Sequence, residues 1–104
     1  MEFTDENLEK EIQNSGKPVL VDFWAAWCGP CSILGSVLGK VVEEYKEKIS
    51  FGKVNVDLAP VSSQKYGISQ IPTVILFKGG KPAGTFIGAR PEEFVKQWLD
   101  ENLK

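Results

Sequence analysis

The sequence predicts an α/β fold in which a mixed central β-sheet carries helices on both faces and ends in an antiparallel hairpin followed by a helix. Three observations lead there. Short apolar runs alternate along the chain with segments whose apolar residues recur every three to four positions, the pattern of strands separated by helices. Two strand-like runs near the C-terminus are joined by Gly79-Gly80, a strong hairpin signal. The 104 residues suffice for one compact domain, and no repeat, low-complexity tract or linker-like shift divides them, so residues 1–104 read as a single domain.

The elements follow in order, with or without a short first strand at Glu2–Phe3. Thr4 is a suitable N-cap for a helix over residues 5–14, with Leu8 and Ile12 on its buried face, and Gly16-Lys17-Pro18 ends it. Val19–Trp24 reads as a strand covered on both faces, because apolar residues occupy both parities and only Asp22 interrupts them. After Trp27-Cys28-Gly29-Pro30-Cys31 the period changes to 3.6, and Ile33, Leu34, Val37, Leu38, Val41, Val42 and Tyr45 mark a long amphipathic helix. Pro30 suits its first turn, where a missing N–H costs nothing. Gly35 and Gly39 inside it cost about 1 kcal/mol each relative to Ala; one use for them is close backbone packing.

Phe51–Val56 is a further buried strand and Pro60–Tyr66 a short helical turn. Thr73–Phe77 and Ala83–Ile87 flank the Gly-Gly turn, and Pro91 opens a last helix with Phe94, Val95, Trp98 and Leu99 on its apolar face. The order is β-α-β-α-β-α-β-β-α. Strands separated by helices are expected to pair in parallel through right-handed crossovers, and the final hairpin must be antiparallel.

Composition narrows the chemistry. The hydrophobic fraction is 42% and the charged fraction 25%, which places the chain among ordinary globular domains. With no histidine, no Ser-His-Asp triad, Cys-His dyad or imidazole metal site can be built. Net charge is −2, the basic residues are scattered, and Arg90 is the only arginine, which argues against nucleic acid as a partner. The opening residues MEFTDENLEKEIQNSG carry five acids and no apolar run, unlike a secretory or transit peptide. No stretch approaches the roughly 20 apolar residues of a membrane span. The expected compartment is the cytoplasm, where thiols stay mostly reduced and two cysteines are there for chemistry.

Cys28 and Cys31 stand between a buried strand and a helix N-terminus, whose partial positive charge and free N–H groups stabilise the thiolate, the reactive form. One helical turn brings the second sulfur within reach of the first. A nucleophilic Cys28 and a resolving Cys31 follow. Two plainer uses compete: a structural staple, which across so short a loop gives only about 2 kcal/mol, and a metal site, for which two thiolates fall short of the usual four ligands.

The run Val21-Asp-Phe-Trp-Ala-Ala-Trp-Cys-Gly-Pro-Cys31 resembles the active-site segment of the thioredoxin family, and Ile71-Pro72-Thr73 resembles its second signature. Asp22, the Lys53 strand, Lys65-Tyr66-Gly67-Ile68, Phe77-Lys-Gly-Gly80 and Gly88-Ala89 fall in matching order along essentially the whole chain. The resemblance implies the thioredoxin fold and a protein-disulfide reductase. In it, Cys28 attacks a client disulfide, Cys31 resolves the mixed disulfide, and an NADPH-fed or ferredoxin-linked thioredoxin reductase restores the dithiol. It implies no cofactor of the chain's own, and a monomer. Oxidising relatives commonly carry His between the cysteines, and Gly29-Pro30 lacks that charge, so electrons are expected to flow outward to the client.

The remaining assignments also rest on the resemblance. Burial of Asp22 in an apolar strand disfavours its charged form, and the resemblance makes it the group that exchanges a proton with Cys31 through water, with the Lys53 ammonium nearby. Taken alone, Lys53 would read as a solvated surface charge. Ile71-Pro72 is expected to be cis and to face the cysteines, its backbone open to an extended client segment. Trp24 is expected under the active-site loop. Trp27, Ile71, Thr73, Ile87, Gly88 and Ala89 are expected to form an apolar docking surface with Pro72. Three positions depart from the family pattern: Ser32 where a basic residue is common, Ser36 in place of a helix proline, and Gln70 in place of a small glycine. A competing function class is a non-catalytic, redox-gated binding module on the same fold, and an oxidising or isomerising relative is a third.

Overall fold

The computed structural model describes residues 1–104. Its elements are β1 (Glu2–Phe3), α1 (Leu8–Asn14), β2 (Val19–Trp24), α2 (Gly29–Tyr45), β3 (Ser50–Asn55), α3 (Pro60–Lys65), β4 (Thr73–Lys78), β5 (Lys81–Ile87) and α4 (Glu92–Asn102). The strands form one sheet in the order β1-β3-β2-β4-β5, with β2 at its centre. The alternation of element types is the one read from the periodicity.

Strand parity divides the core into two layers. Val19, Val21 and Phe23 face α1 and α3 and pack with Phe3, Leu8, Ile12, Val54, Ile75 and Phe77. Leu20 faces the other way and packs with Leu34, Leu38 and Val41 of α2, Val74 and Leu76 of β4, and Val95 and Leu99 of α4. The Tyr45 hydroxyl donates to the Asp100 carboxylate at 2.7 Å and ties α2 to α4. On the far side, Asp5 accepts from the Ser62 N–H at 2.7 Å and the Val61 N–H at 3.2 Å, which caps α3 from the N-terminal loop.

Several expectations change. The β1–β3 and β3–β2 pairs are parallel, but β4 runs antiparallel to β2 although a helix separates it from β3. The chain re-enters the sheet at the end it left, with Thr73 beside Phe23, because the connection after Asn55 forms only the six-residue α3, about 9 Å long, and no helix that runs back along a strand of about 20 Å. Thr4 does not cap α1 with its side chain; the helix starts at Leu8, and the Asn7 side chain instead accepts from the Thr4 N–H at 2.8 Å. Ile33 is 64% exposed, so the buried stripe of α2 is Cys31, Leu34, Leu38, Val41 and Tyr45. Gly39 faces open space and a Cβ at Gly35 would lie 3.8 Å from the Lys53 Nζ, so neither glycine serves backbone packing.

The hairpin turn needs its glycines. Gly79 and Gly80 have φ of 60° and 81°, the left-handed region that side chains resist. The β5 strand begins at Lys81, two residues before the expected start, after an irregularity between Leu76 and Phe77.

Candidate active site

The site sits where β2 ends and α2 begins. Cys28 is the N-cap of α2, with extended backbone (φ −97°, ψ 112°), and Gly29 and Pro30 form the first helical positions. The Cys31 N–H donates to Cys28 Sγ at 3.2 Å, so a free donor of the helix end is spent on the sulfur itself. The two sulfurs are bonded to each other as a disulfide across the first turn. Both are buried, Cys28 at 8% exposure and Cys31 at 3%, so the outer sulfur is the one a partner reaches first.

The loop opposite is built from β4 and β5. The Ile71–Pro72 bond is cis. The Gly88 N–H donates to the Pro72 carbonyl at 2.8 Å, the Thr73 hydroxyl donates to the Gln70 carbonyl, and Thr73 pairs with Ile87 in the ladder. The Ile71 carbonyl oxygen stands 4.0 Å from Cys28 Sγ. Ile71, Pro72, Thr73, Ile87 and Gly88 are thus brought together, and Ile71 packs against the cysteines. Ala89 is exposed just beyond Gly88.

Trp24 packs beneath the cysteine loop with Ala25, Cys28 and Cys31. Trp27 is 71% exposed, and its indole N–H donates to the Asp57 carboxylate at 2.8 Å. Nothing in the sequence singles out Asp57. The available signal was an acidic residue just past the end of the strand beside β2, and that is too common to point to a partner.

Asp22 is fully buried, and neither carboxylate oxygen has a hydrogen-bond partner. Lys53 stands opposite it in the β2–β3 ladder. Burial pushes the Asp22 carboxyl up to about 6; the Lys53 charge opposes this shift and the Glu2 charge adds to it. A cavity of about 420 Å³ opens beside the cysteines, lined by Trp24, Cys28, Cys31, Ser32, Ser36 and Lys53 among others. The two serines that depart from the family pattern therefore lie on its wall. Asp22 does not line it; it lies two residues back along β2, on the same sheet face as Trp24. No three His, Cys, Asp or Glu side chains gather as a metal-binding group.

The sequence model of the thioredoxin family matches residues 1–101. The chain belongs to the thioredoxin family. It is 46% identical to thioredoxin 2 of Chlorobaculum tepidum over 102 residues, covering 98% of this chain and 94% of that one. It is 46% identical to a thioredoxin of Alicyclobacillus acidocaldarius over 104 residues, covering 100% and 98%. It is 43% identical to the chloroplastic M-type thioredoxin of Chlamydomonas reinhardtii over 99 residues, covering 95% of this chain and 71% of that one.

Family membership and the bonded pair together establish the chemistry: the protein is a thiol-disulfide oxidoreductase of the thioredoxin family, reducing client disulfides through Cys28 and Cys31. Its partners are disulfide-bearing client proteins and a thioredoxin reductase. No helix is long and apolar enough to cross a membrane.

Proposed function

We propose that the chain works as a monomeric, single-domain (residues 1–104), general protein-disulfide reductase of the cytoplasm, recharged by an NADPH- or ferredoxin-linked reductase. The observation that carries this reading is the Cys28 sulfur, which accepts the Cys31 N–H at the helix end and faces the Ile71 carbonyl across a narrow gap. In the reduced protein, that donor and the helix end stabilise a Cys28 thiolate. The thiolate attacks one sulfur of the client disulfide. A Cys28–client bond forms, the client S–S bond breaks, and the other client sulfur leaves as a thiolate that takes a proton from water.

The second step needs a Cys31 thiolate. Asp22 takes the Cys31 proton through water in the cavity, and Cys31 attacks Cys28 Sγ. The Cys28–client bond breaks and the second client sulfur leaves, to be protonated in turn. Two electrons have passed from the cysteine pair to the client. A carboxyl that titrates near 6 suits this duty, because a base works best with its proton affinity near the working pH. Lys53 holds that affinity down by opposing the burial effect.

Trp27, Ile71, Pro72, Thr73, Ile87, Gly88 and Ala89 form the docking face. The backbone beside Pro72 offers groups to an extended client segment, which favours recognition of main chain over particular side chains. Gly29-Pro30 places no charge between the cysteines, which favours reduction over oxidation of clients.

Turnover tests the reading. Supplied with a reductant, the wild type should reduce a disulfide-bonded protein repeatedly, and Cys31→Ser should accumulate a mixed disulfide through Cys28. Stoichiometric binding without reduction would show a redox-gated binding module instead.

A further inference from the structure

Strands β1, β3 and β2 lie side by side in parallel, and their registers put Glu2, Lys53 and Asp22 in one row across the sheet. The next row, Phe3, Val54 and Phe23, is buried together on the α1 side. Alternation therefore turns the charged row to the α2 side, where the cysteines and the cavity are. Two features pin Glu2 in this register. The Lys53 N–H donates to the Met1 carbonyl at 2.8 Å, and the Phe3 ring fills the space that a Cβ at Gly52 would need.

Lys53 is the only cation of the row, between two carboxylates, and it is committed to neither. It makes no ion pair; its ammonium lies 4.5 Å from the centre of the Trp24 ring. The other elements around Asp22 add no competing charge. Its β4 partner in the ladder is Val74, α2 offers Cys31 and an apolar buried stripe, and the buried residues of α4 are Val95 and Leu99. The charged side chains of α2 and α4, including Lys40, Glu43, Glu44, Glu92 and Lys96, lie outside that stripe. Lys53 and Glu2 are thus the charges that bear on the buried carboxyl.

We propose that Glu2 is a positioning residue for the resolving step: it competes with Asp22 for the Lys53 ammonium and so sets the pH at which Asp22 can accept the Cys31 proton. This rests on the proton-accepting role proposed above for Asp22. With one ammonium between two carboxylates, the buried carboxyl has less of that charge to stabilise its ionised form and keeps its proton to higher pH. The Glu2 charge acts in that direction and the Lys53 charge in the opposite one. Glu2 is exposed, so its influence is screened by salt.

The test follows the Asp22 carboxyl directly, by carbon NMR titration, alongside the pH profile of single-turnover client reduction. Glu2→Gln removes a negative charge and should lower both midpoints by about half a pH unit. Glu2→Asp should largely restore them, and 1 M salt should shrink the shift. In a Lys53→Gln background, Glu2→Gln should move the midpoint less than in the wild type. If Glu2→Gln leaves the Asp22 midpoint in place while Asp22→Asn still abolishes the acid limb of the rate profile, the role of Glu2 is overturned and that of Asp22 stands. If Asp22→Asn leaves the rate profile unchanged, the role of Asp22 falls and the proposal falls with it.

Discussion

The Lys53 ammonium rests 4.5 Å from the centre of the Trp24 ring, although the ladder places Lys53 directly opposite Asp22. The ammonium lies at the cavity wall, beside Gly35, in a cation–π contact worth about 1 kcal/mol, and it makes no ion pair with the carboxylate. Both Asp22 oxygens are without hydrogen-bond partners. A buried carboxyl left in that state holds its proton more tightly than a paired one would, and this is the property a proton acceptor for a thiol needs.

Asp22→Asn should separate function from stability. Client reduction at pH 7 should fall about tenfold or more, while the protein becomes more stable. The folded-state value of about 6 lies above the ordinary 3.8, so the stabilisation from this group is complete below about pH 4 and is lost as pH rises through about 6. A neutral amide avoids that loss. Urea unfolding should show the variant ahead by about 3 kcal/mol at pH 7, with the gap closing below pH 4. Equal stability at both pH values would contradict the buried-charge account.

Lys53→Gln should act in the opposite sense to Glu2→Gln. With the ammonium gone, nothing offsets burial, and the Asp22 midpoint rises above its wild-type value. The acid limb of the client-reduction profile should move to higher pH, with the largest rate loss between pH 6 and 7. A rate profile identical to the wild type would remove Lys53 from the mechanism.

Asp57→Ala removes the acceptor that orients the exposed Trp27 indole. The ring keeps its area and loses its fixed position. The KM for a protein client should rise about two- to fivefold with kcat little changed, in line with the net worth of one hydrogen bond. Trp27→Phe should raise KM further, because it also takes ring area from the docking face, and adding Asp57→Ala to it should then cost little, since the hydrogen bond is already gone.

Gly52→Ala puts a methyl group where the Phe3 ring lies. Either the ring is displaced or β1 leaves the sheet, and overpacking of this kind costs about 1–3 kcal/mol. Urea unfolding measures it. The same change should disturb the Glu2 register and move the Asp22 midpoint, a long-range effect that a purely local clash would not produce.

The elements were legible because their signals are local. The 3.6 period of Leu34, Leu38 and Val41, the two-sided apolar run at Val19–Phe23 and the Gly79-Gly80 turn are each written within a few residues. The cysteine motif and its place before a helix were equally plain. Less local facts went astray. Thr4 has the right chemistry for a cap, yet Asn7 closes the turn around it. Ile33 has the right period, yet α2 has more apolar positions than its buried side can cover. The antiparallel β2–β4 pair follows from where Thr73 re-enters the sheet, beside Phe23, a matter of position in space.

By itself, then, the sequence determined which residues are strand, helix and turn, and that two thiols at a helix start do the chemistry without help from any imidazole. Only the tertiary structure decided what surrounds them. Asp57 meets Trp27 from 30 positions away, and Glu2, Lys53 and Asp22 come from three separate strands. Short-range periodicity is set by the backbone geometry of each element, whereas the proton affinity of a buried carboxyl is set by whichever charges the sheet order brings beside it.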